Sequence, residues 1–345
     1  MRLITSVLLL FLICSCKQEQ QKTLRTYSRV EIEDLYTDSL SIRAIELMGD
    51  GSLAFAADKG RYGLYFPKKM QWVTGQQMHD SVPLHFRAIA HTSNDFFMLS
   101  IESPALLYKT GDNGTMELVY QEEGEGVFYD AMTFWNDTEG IAVGDSVNGC
   151  LSVIVTRDGG QTWQKILCEQ LPKGLDGEGA FAASNTNIKV LGDKAWIGTT
   201  SGTIYFSADK GHNWTLYKTP ISSEAATQGI YSLDFYNENI GFAIGGDYTK
   251  PELNTANKIK TTDGGETWQL VANGENPGYR SCVQFVPNSN GQNLVAVGFK
   301  GVDVSTDSGL TWQHISDESF YTIRFVNDSL AYAAGQGRIS KLIFQ

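Results

Sequence analysis

The chain is poor in the residues that announce cofactor chemistry. Its 345 residues include only five histidines, His79, His85, His91, His212 and His314. None stands at a metal-ligand spacing from another, so no metal site is expected. Its five cysteines form neither a C-x-x-C pair nor a C-x-x-C-H, which removes thioredoxin-like and haem-attachment readings. No G-x-G-x-x-G follows a strand-like run and opens a helix, so a Rossmann nucleotide site is unsupported. Gly144-Asp145-Ser146 lacks the strand–turn–helix setting of a nucleophile elbow. No cofactor is therefore expected. Positive charge is also scarce: 27 Lys and Arg face 39 Asp and Glu, a net charge of −12. Nucleic acid needs a basic stripe, and none is available. Convincing amphipathic helices are absent, and no apolar run beyond the first residues is long enough to span a membrane.

Those first residues read as an export signal. Arg2 precedes an apolar run over residues 7–13, and Cys14-Ser15-Cys16 then resembles a bacterial lipobox. The expectation is a lipoprotein signal peptide over residues 1–15, lipidation at Cys16 and a polar tether over 16–23. Cys16 is not followed by Asp, the inner-membrane retention cue of enteric bacteria. An outer-membrane lipoprotein is expected, periplasmic or surface-facing, touching the membrane only through its lipid.

What the chain has in abundance is one repeated phrase. It occurs as Thr156-Arg-Asp158-Gly-Gly160-Gln-Thr162-Trp163 and Ser207-Ala-Asp209-Lys-Gly211-His-Asn213-Trp214. It returns as Thr261-Thr-Asp263-Gly-Gly265-Glu-Thr267-Trp268 and Ser305-Thr-Asp307-Ser-Gly309-Leu-Thr311-Trp312. A worn copy begins at Thr110 with Asp112 and Gly114, and in a further unit Trp72 alone survives. This is the Asp-box pattern S/T-x-D-x-G-x-T-W. Each copy lies between apolar alternating runs, so it reads as a hairpin turn. Asp bonds nearby backbone, Gly supplies positive φ, and Trp packs between neighbouring units. Asp158, Asp209, Asp263 and Asp307 are therefore structural, since a residue repeated in every unit cannot always face one substrate.

Strand-like runs recur with inner strands starting near Ile42, Phe86, Phe128, Ala180, Ile230, Arg280 and Tyr321. Such spacing suits four-stranded blades. The fold expected over residues 24–345 is a single all-β domain, a seven-bladed β-propeller of four-stranded antiparallel blades. The last unit holds only three strands, over residues 322–326, 330–334 and 339–344. Residues 24–32 are predicted to supply its fourth, outer strand and close the ring, removing an open sheet edge. Cys150 and Cys168 flank the Thr156 box symmetrically, which admits a cross-strand disulfide in an exported protein. Cys282 is expected to be a buried free thiol.

Antiparallel alternation sorts the loops. Links into inner strands and links between second and third strands share one face, and the Asp boxes lie on the other. The first face gathers Arg43, Arg87, Asp130, Glu178, Arg280 and several tyrosines from inner-strand entrances. Asp145, Asp247 and Tyr248 come from the second-to-third links. Arg43, Arg87 and Arg280 are candidate ligand-binding residues, because guanidinium forks grip carboxylates, sulfates and sugar hydroxyls. Asp130, Asp145, Glu178, Asp247 and Tyr248 are candidate catalytic residues, because paired carboxylates serve glycoside cleavage. The alternative is that these charges pair with one another and line a water-filled channel.

From about Ile42 onward the chain resembles the Asp-box propellers grouped with the photosystem II stability/assembly factor. It looks most like their non-photosynthetic bacterial relatives, often labelled oxidoreductase or glycosyl hydrolase. The resemblance rests on Phe128-Tyr-Asp-Ala-Met-Thr-Phe, Gly177-Glu-Gly-Ala-Phe-Ala-Ala-Ser, Gly245-Gly-Asp-Tyr and Tyr279-Arg-Ser. It implies a scaffold that binds a protein partner through an Arg-bearing face. Sialidases share the box and use an Arg triad. Their F-R-I-P has a partial echo in Phe86-Arg87-Ala88-Ile89, with Ala for Ile and Ile for Pro. Two functions follow as expectations: a monomeric envelope protein that binds or hydrolyses a glycan or other small anionic ligand, or a non-catalytic scaffold for an envelope protein.

Overall fold

In a computed structural model of the protein, residues 25–111, 114–175 and 177–345 are described. The signal peptide, Cys16, the tether, Leu24 and Asp112 of the worn box lie outside the described residues. Seven antiparallel sheets form a ring. Their inner strands are Ala44–Leu47, Phe86–His91, Tyr129–Phe134, Ile188–Leu191, Ile230–Phe235, Cys282–Phe285 and Thr322–Phe325, numbered here as blades 1 to 7. Central strands such as Leu53–Ala56 and Gly241–Gly245 are buried along their whole length. Neighbouring blades cover both faces of each, so the sequence there is an apolar run rather than an alternation. Outermost strands in several blades are short and exposed, as in Gln164–Lys165 and Gln269–Leu270. Little open edge is left for another chain to pair with.

The ring closes as the sequence predicts, with a shifted boundary. The run Leu330–Phe344 doubles back on itself: the Phe344 amide donates to the Ser329 carbonyl at 2.8 Å. Its two arms turn at Gly337, whose φ is +82°. Val30–Ser41 then pairs with the second arm, from Val30 opposite Phe344 to Ser41 opposite Gln336. The closing strand thus begins six residues later than predicted and runs on into blade 1. Residues 25–29 precede it, with Tyr27 buried and its hydroxyl on the Asp328 carbonyl at 2.6 Å.

The Asp boxes are self-bonded turns on the far face. In blade 5, Asp263 Oδ1 accepts from Thr261 Oγ1 (2.7 Å) and the Thr267 amide (3.0 Å), and Oδ2 accepts from Thr267 Oγ1 (2.5 Å). Asp158, Asp209 and Asp307 repeat this pattern. The box glycine stands at positive φ, and at Gly309 a Cβ would come within 2.1 Å of the Phe242 ring. Only glycine meets both demands. Three box indoles donate back to that glycine's carbonyl, as Trp268 does to Gly265 at 3.0 Å.

These contacts bear on acid stability. Burial pushes the Asp263 carboxyl up, but the Thr267 and Thr261 donors outweigh it and hold it at about 2. Asp158, Asp209 and Asp307 are lowered in the same way. A depressed folded pKa gives stability that is present above the unfolded value of 3.8 and is lost as pH falls toward 2. Asp263→Ala is expected to cost about 1 kcal/mol at neutral pH, and to flatten the acid limb of the stability curve. Chemical denaturation across that range checks both; an unchanged acid limb would contradict the assignment.

Cys150 and Cys168 form a disulfide, Cα–Cα 5.7 Å. Cys168 sits in a short 3-10 turn, Cys168–Gln170, that follows the outer strand of blade 3, not on the strand itself. Cys282 is a buried free thiol.

One prediction fails in blade 4. Its inner strand starts at Ile188, not near Ala180. The intervening residues 181–187 leave the blade and cross the axis. Ser184 Oγ donates to Ser281 O (2.7 Å) in blade 6, and its own carbonyl accepts from Thr322 Oγ1 (2.9 Å) in blade 7. Asn185 Nδ2 donates to Ile89 O (2.8 Å) in blade 2, while its Oδ1 accepts the Met132 amide (2.9 Å) of blade 3. Thr186 meets Ser232 of blade 5 at 2.7 Å. A segment that touches the inner strands of five other blades lies on the axis. It is a septum, and it replaces the water-filled channel considered from sequence. Apart from Phe181 its side chains are small, hydroxyl or amide, because a charge held there would need a partner.

Candidate functional site

Two cavities open above the septum on the face away from the Asp boxes. One, of about 690 Å3, lies over blades 3 to 5 and is lined by Asp130, Asp145, Ser146, Glu178, Thr200 and Glu224 among others. The other, of about 360 Å3, lies on the axis and is lined by Arg43, Tyr231, Tyr248, Tyr279, Phe299 and Tyr321. Arg87, Phe181 and Ala182 line both. Inner-strand entrances and second-to-third links therefore converge as antiparallel alternation requires.

The axial cavity is aromatic. Phe181, from the septum, stacks flat on Tyr231 with ring centroids 3.7 Å apart. Tyr279 stands edge-on to Tyr231 at 4.8 Å and tilts against Phe299 at 5.4 Å. Tyr248 is 48 % exposed and packs its ring near Tyr279. Arg43 lies over the Tyr321 ring, 4.0 Å from its centroid, and its buried Nε has no hydrogen-bond partner among the described residues. Arg87 Nε donates to His85 Nε2 at 3.2 Å, and one terminal nitrogen makes a long contact to the Ala182 carbonyl at 3.4 Å. Burial and the nearby Arg43 charge both lower its pKa. Two guanidinium groups thus face one cavity, and neither forms an ion pair among the described residues.

The larger cavity holds two carboxyls of unusual state. Asp130 is fully buried, and neither carboxyl oxygen has a hydrogen-bond partner among the described residues. The Ala182 amide faces it and lowers its pKa, at a geometry short of a full hydrogen bond. Burial raises its pKa well above the usual carboxylate range, Asp145 adds to this, and Arg87 opposes it. Asp145 Oδ1 accepts the Ala180 amide at 3.1 Å; burial raises its pKa too, against that bond.

The remaining sequence candidates are already engaged. Glu178 is 2 % exposed. Its carboxylate accepts from Thr199 Oγ1 (2.6 Å), Thr203 Oγ1, Tyr205 OH (3.0 Å) and the Leu175 amide (3.1 Å). It ties the entrance loop to blade 4. Asp247 accepts from the Thr249 amide (2.9 Å) and hydroxyl (2.6 Å), an Asx turn. Arg280 Nε donates to Asp303 Oδ2 at 2.6 Å, and NH1 to its neighbour's carbonyl, Tyr279 O, at 2.7 Å. Neither Asp247 nor Arg280 lines the two cavities. Sequence reasoning missed His85, Phe181 and Phe299 at this site. Length did not mark Phe181: the stretch from Ala180 to the second strand at Lys194 spans as many residues as that from Arg280 to Leu294 in blade 6.

Comparison with known proteins agrees with this architecture. The BNR/Asp-box repeat model matches residues 154–165. No curated protein matches the sequence. Among solved structures, YCF48 bound to D1 peptide superposes with a TM-score of 0.65 at 13 % identity, covering 93 % of this chain and 99 % of that one. Virginiamycin B lyase from Staphylococcus aureus gives 0.63 at 12 % identity, covering 91 % and 99 %. A GH74 enzyme from Niastella koreensis gives 0.57 at 16 % identity, covering 89 % of this chain and 43 % of that one. The chain is an Asp-box β-propeller that resembles these proteins in fold, and at such identities the likeness extends to the fold alone.

Proposed function

We propose that the protein is a lipid-anchored binding protein of the bacterial envelope, whose axial mouth takes an anionic polar ligand, specifically a glycan bearing an acidic sugar. The observation that carries this reading is the pair Arg43 and Arg87. Both face the mouth, and neither is committed to a carboxylate among the described residues. Holding two like charges side by side, both half-buried, is unfavourable unless an anion completes the site. A carboxylate from the ligand supplies it, and the surrounding tyrosines offer faces for sugar rings. Binding without cleavage is favoured because Glu178 and Asp247 already hold local donors. These groups are poorly placed to exchange protons with a glycosidic oxygen.

The test is calorimetric titration of the purified protein with uronate-containing oligosaccharides and their neutral counterparts. Acidic ligands are expected to bind, neutral ones weakly. Arg87→Ala and Arg43→Ala should each lower affinity about tenfold or more with little change in thermal unfolding. Full affinity in both variants would overturn the assignment. A second reading, a scaffold for a protein partner, draws support from the size of the cavity over blades 3 to 5 and from a similar fold that holds a peptide. Silence across the acidic panel, with one stoichiometric protein recovered from solubilised membranes, would favour it.

A further inference from the structure

We infer that the larger cavity is an ammonium subsite, so that the ligand of the mouth carries a protonated amine beside its anionic group. This deepens the proposed anion-binding reading and rests on it. Asp130 lines the cavity with no exposed surface, and neither of its carboxyl oxygens has a partner among the described residues. A buried polar group without a partner is destabilising, and such groups are uncommon unless something completes them. Asp145 lines the same cavity and uses one oxygen on the Ala180 amide, leaving the other. Three carboxyl acceptors are therefore available around one space.

The chemistry that matches three acceptors is the ammonium group, which has three donors and no acceptor. A hydroxyl would satisfy one oxygen and leave the other two. A metal ion is disfavoured: among the described residues no group of three or more ligating side chains is assembled, and Arg87 lies close enough to act on the Asp130 charge. Arg87 also explains why the amine must travel with an anion. It lines both cavities, so an amine entering alone would meet an uncompensated guanidinium. A ligand whose carboxylate sits on Arg43 and Arg87 neutralises that charge and presents its amine to Asp130 and Asp145. The aromatic walls of the axial cavity then hold the ring between the two ends.

Proton linkage gives an independent sign. Burial and Asp145 beside it both raise the Asp130 pKa. The other charged groups facing this space are Arg87, Glu178 and Glu224. Arrival of a cation favours the carboxylate, so a proton held on Asp130 is released on binding.

Three probes separate the claims: muramic acid, with a free amine and a carboxylate; N-acetylmuramic acid, with the amine capped; and glucosamine, with no carboxylate. Titrated in a slightly acidic buffer, muramic acid should bind at least about tenfold more tightly than either of the others. Its binding enthalpy should vary with the buffer's ionisation enthalpy, reporting the released proton on the unaltered protein. Asp130→Asn and Asp145→Asn should reduce muramic acid to the N-acetylmuramic acid level and leave the latter's affinity as it was. If N-acetylmuramic acid binds as well as muramic acid and depends on Arg87, the ammonium subsite is overturned while the anion reading stands. If glucosamine equals muramic acid in an Asp130-dependent way, the subsite stands and the anion reading falls. Binding by none of the three overturns the subsite; uronate binding then decides the anion reading separately.

Discussion

Asp303→Ala is expected to destabilise the protein by about 3–5 kcal/mol, the range for removing one partner of a buried ion pair. Arg280 and Asp303 are both almost fully buried, and their contact is 2.6 Å. The cost does not come mainly from the lost attraction, since bringing both ions out of water offsets much of that. It comes from stranding the Arg280 guanidinium, whose remaining described contact is the Tyr279 carbonyl. Asp303 also accepts from His314 Nδ1 at 3.1 Å, so its loss loosens the outer strand of blade 6 as well. The double variant Arg280→Met, Asp303→Leu removes both charges and should recover most of the stability. Equilibrium denaturation of the three proteins tests this. A cost below about 1 kcal/mol for Asp303→Ala would mean that water reaches the pair, and would return Arg280 to the anion clamp where sequence placed it.

That case shows where sequence reading stops. The fold was legible because its signals are local and repeated. Each Asp box satisfies its own donors within a few residues, so Asp158 and Asp263 declare a turn wherever they stand. The missing strand of blade 7 could be inferred by counting, and Cys150 and Cys168 by their symmetry about one turn. The site was legible only as a face. Topology brought Arg43, Arg87, Asp130, Asp145 and Tyr248 to one mouth. The same reasoning put Glu178, Asp247 and Arg280 beside them, and their chemistry is otherwise engaged. Sequence gives a residue's position in a blade but not whether its hydrogen-bonding capacity is already taken by Thr199, Thr249 or Asp303. Those partners lie 21, 2 and 23 positions away, and none belongs to the repeat. The septum was hidden for a related reason. Residues 181–187 follow no period, and their partners are mostly main-chain groups of other blades, which leave no mark in a side-chain pattern.

The septum makes the second large prediction. Asn185→Ala should cost about 2–4 kcal/mol, because it strands two buried main-chain groups, the Met132 N–H and the Ile89 carbonyl. Asn185 also stands at φ +58°, a conformation that asparagine tolerates better than alanine. Asn185→Gly removes that strain and keeps the hydrogen-bond loss, so the difference between the two variants measures the backbone contribution. The consequence for function is specific. Ala182 and Ala183 line the axial cavity, and they hold their place because Ser184, Asn185 and Thr186 are tied to the surrounding blades. Loosening Asn185 should weaken ligand binding at the mouth without touching Arg43 or Arg87, and should speed amide exchange at Met132 and at Leu233, whose N–H donates to Thr186 O at 2.8 Å. Exchange rates and stability within about 0.5 kcal/mol of the parent would mean that the septum is held by packing alone. Faster exchange with unchanged ligand affinity would mean that the mouth does not depend on its floor.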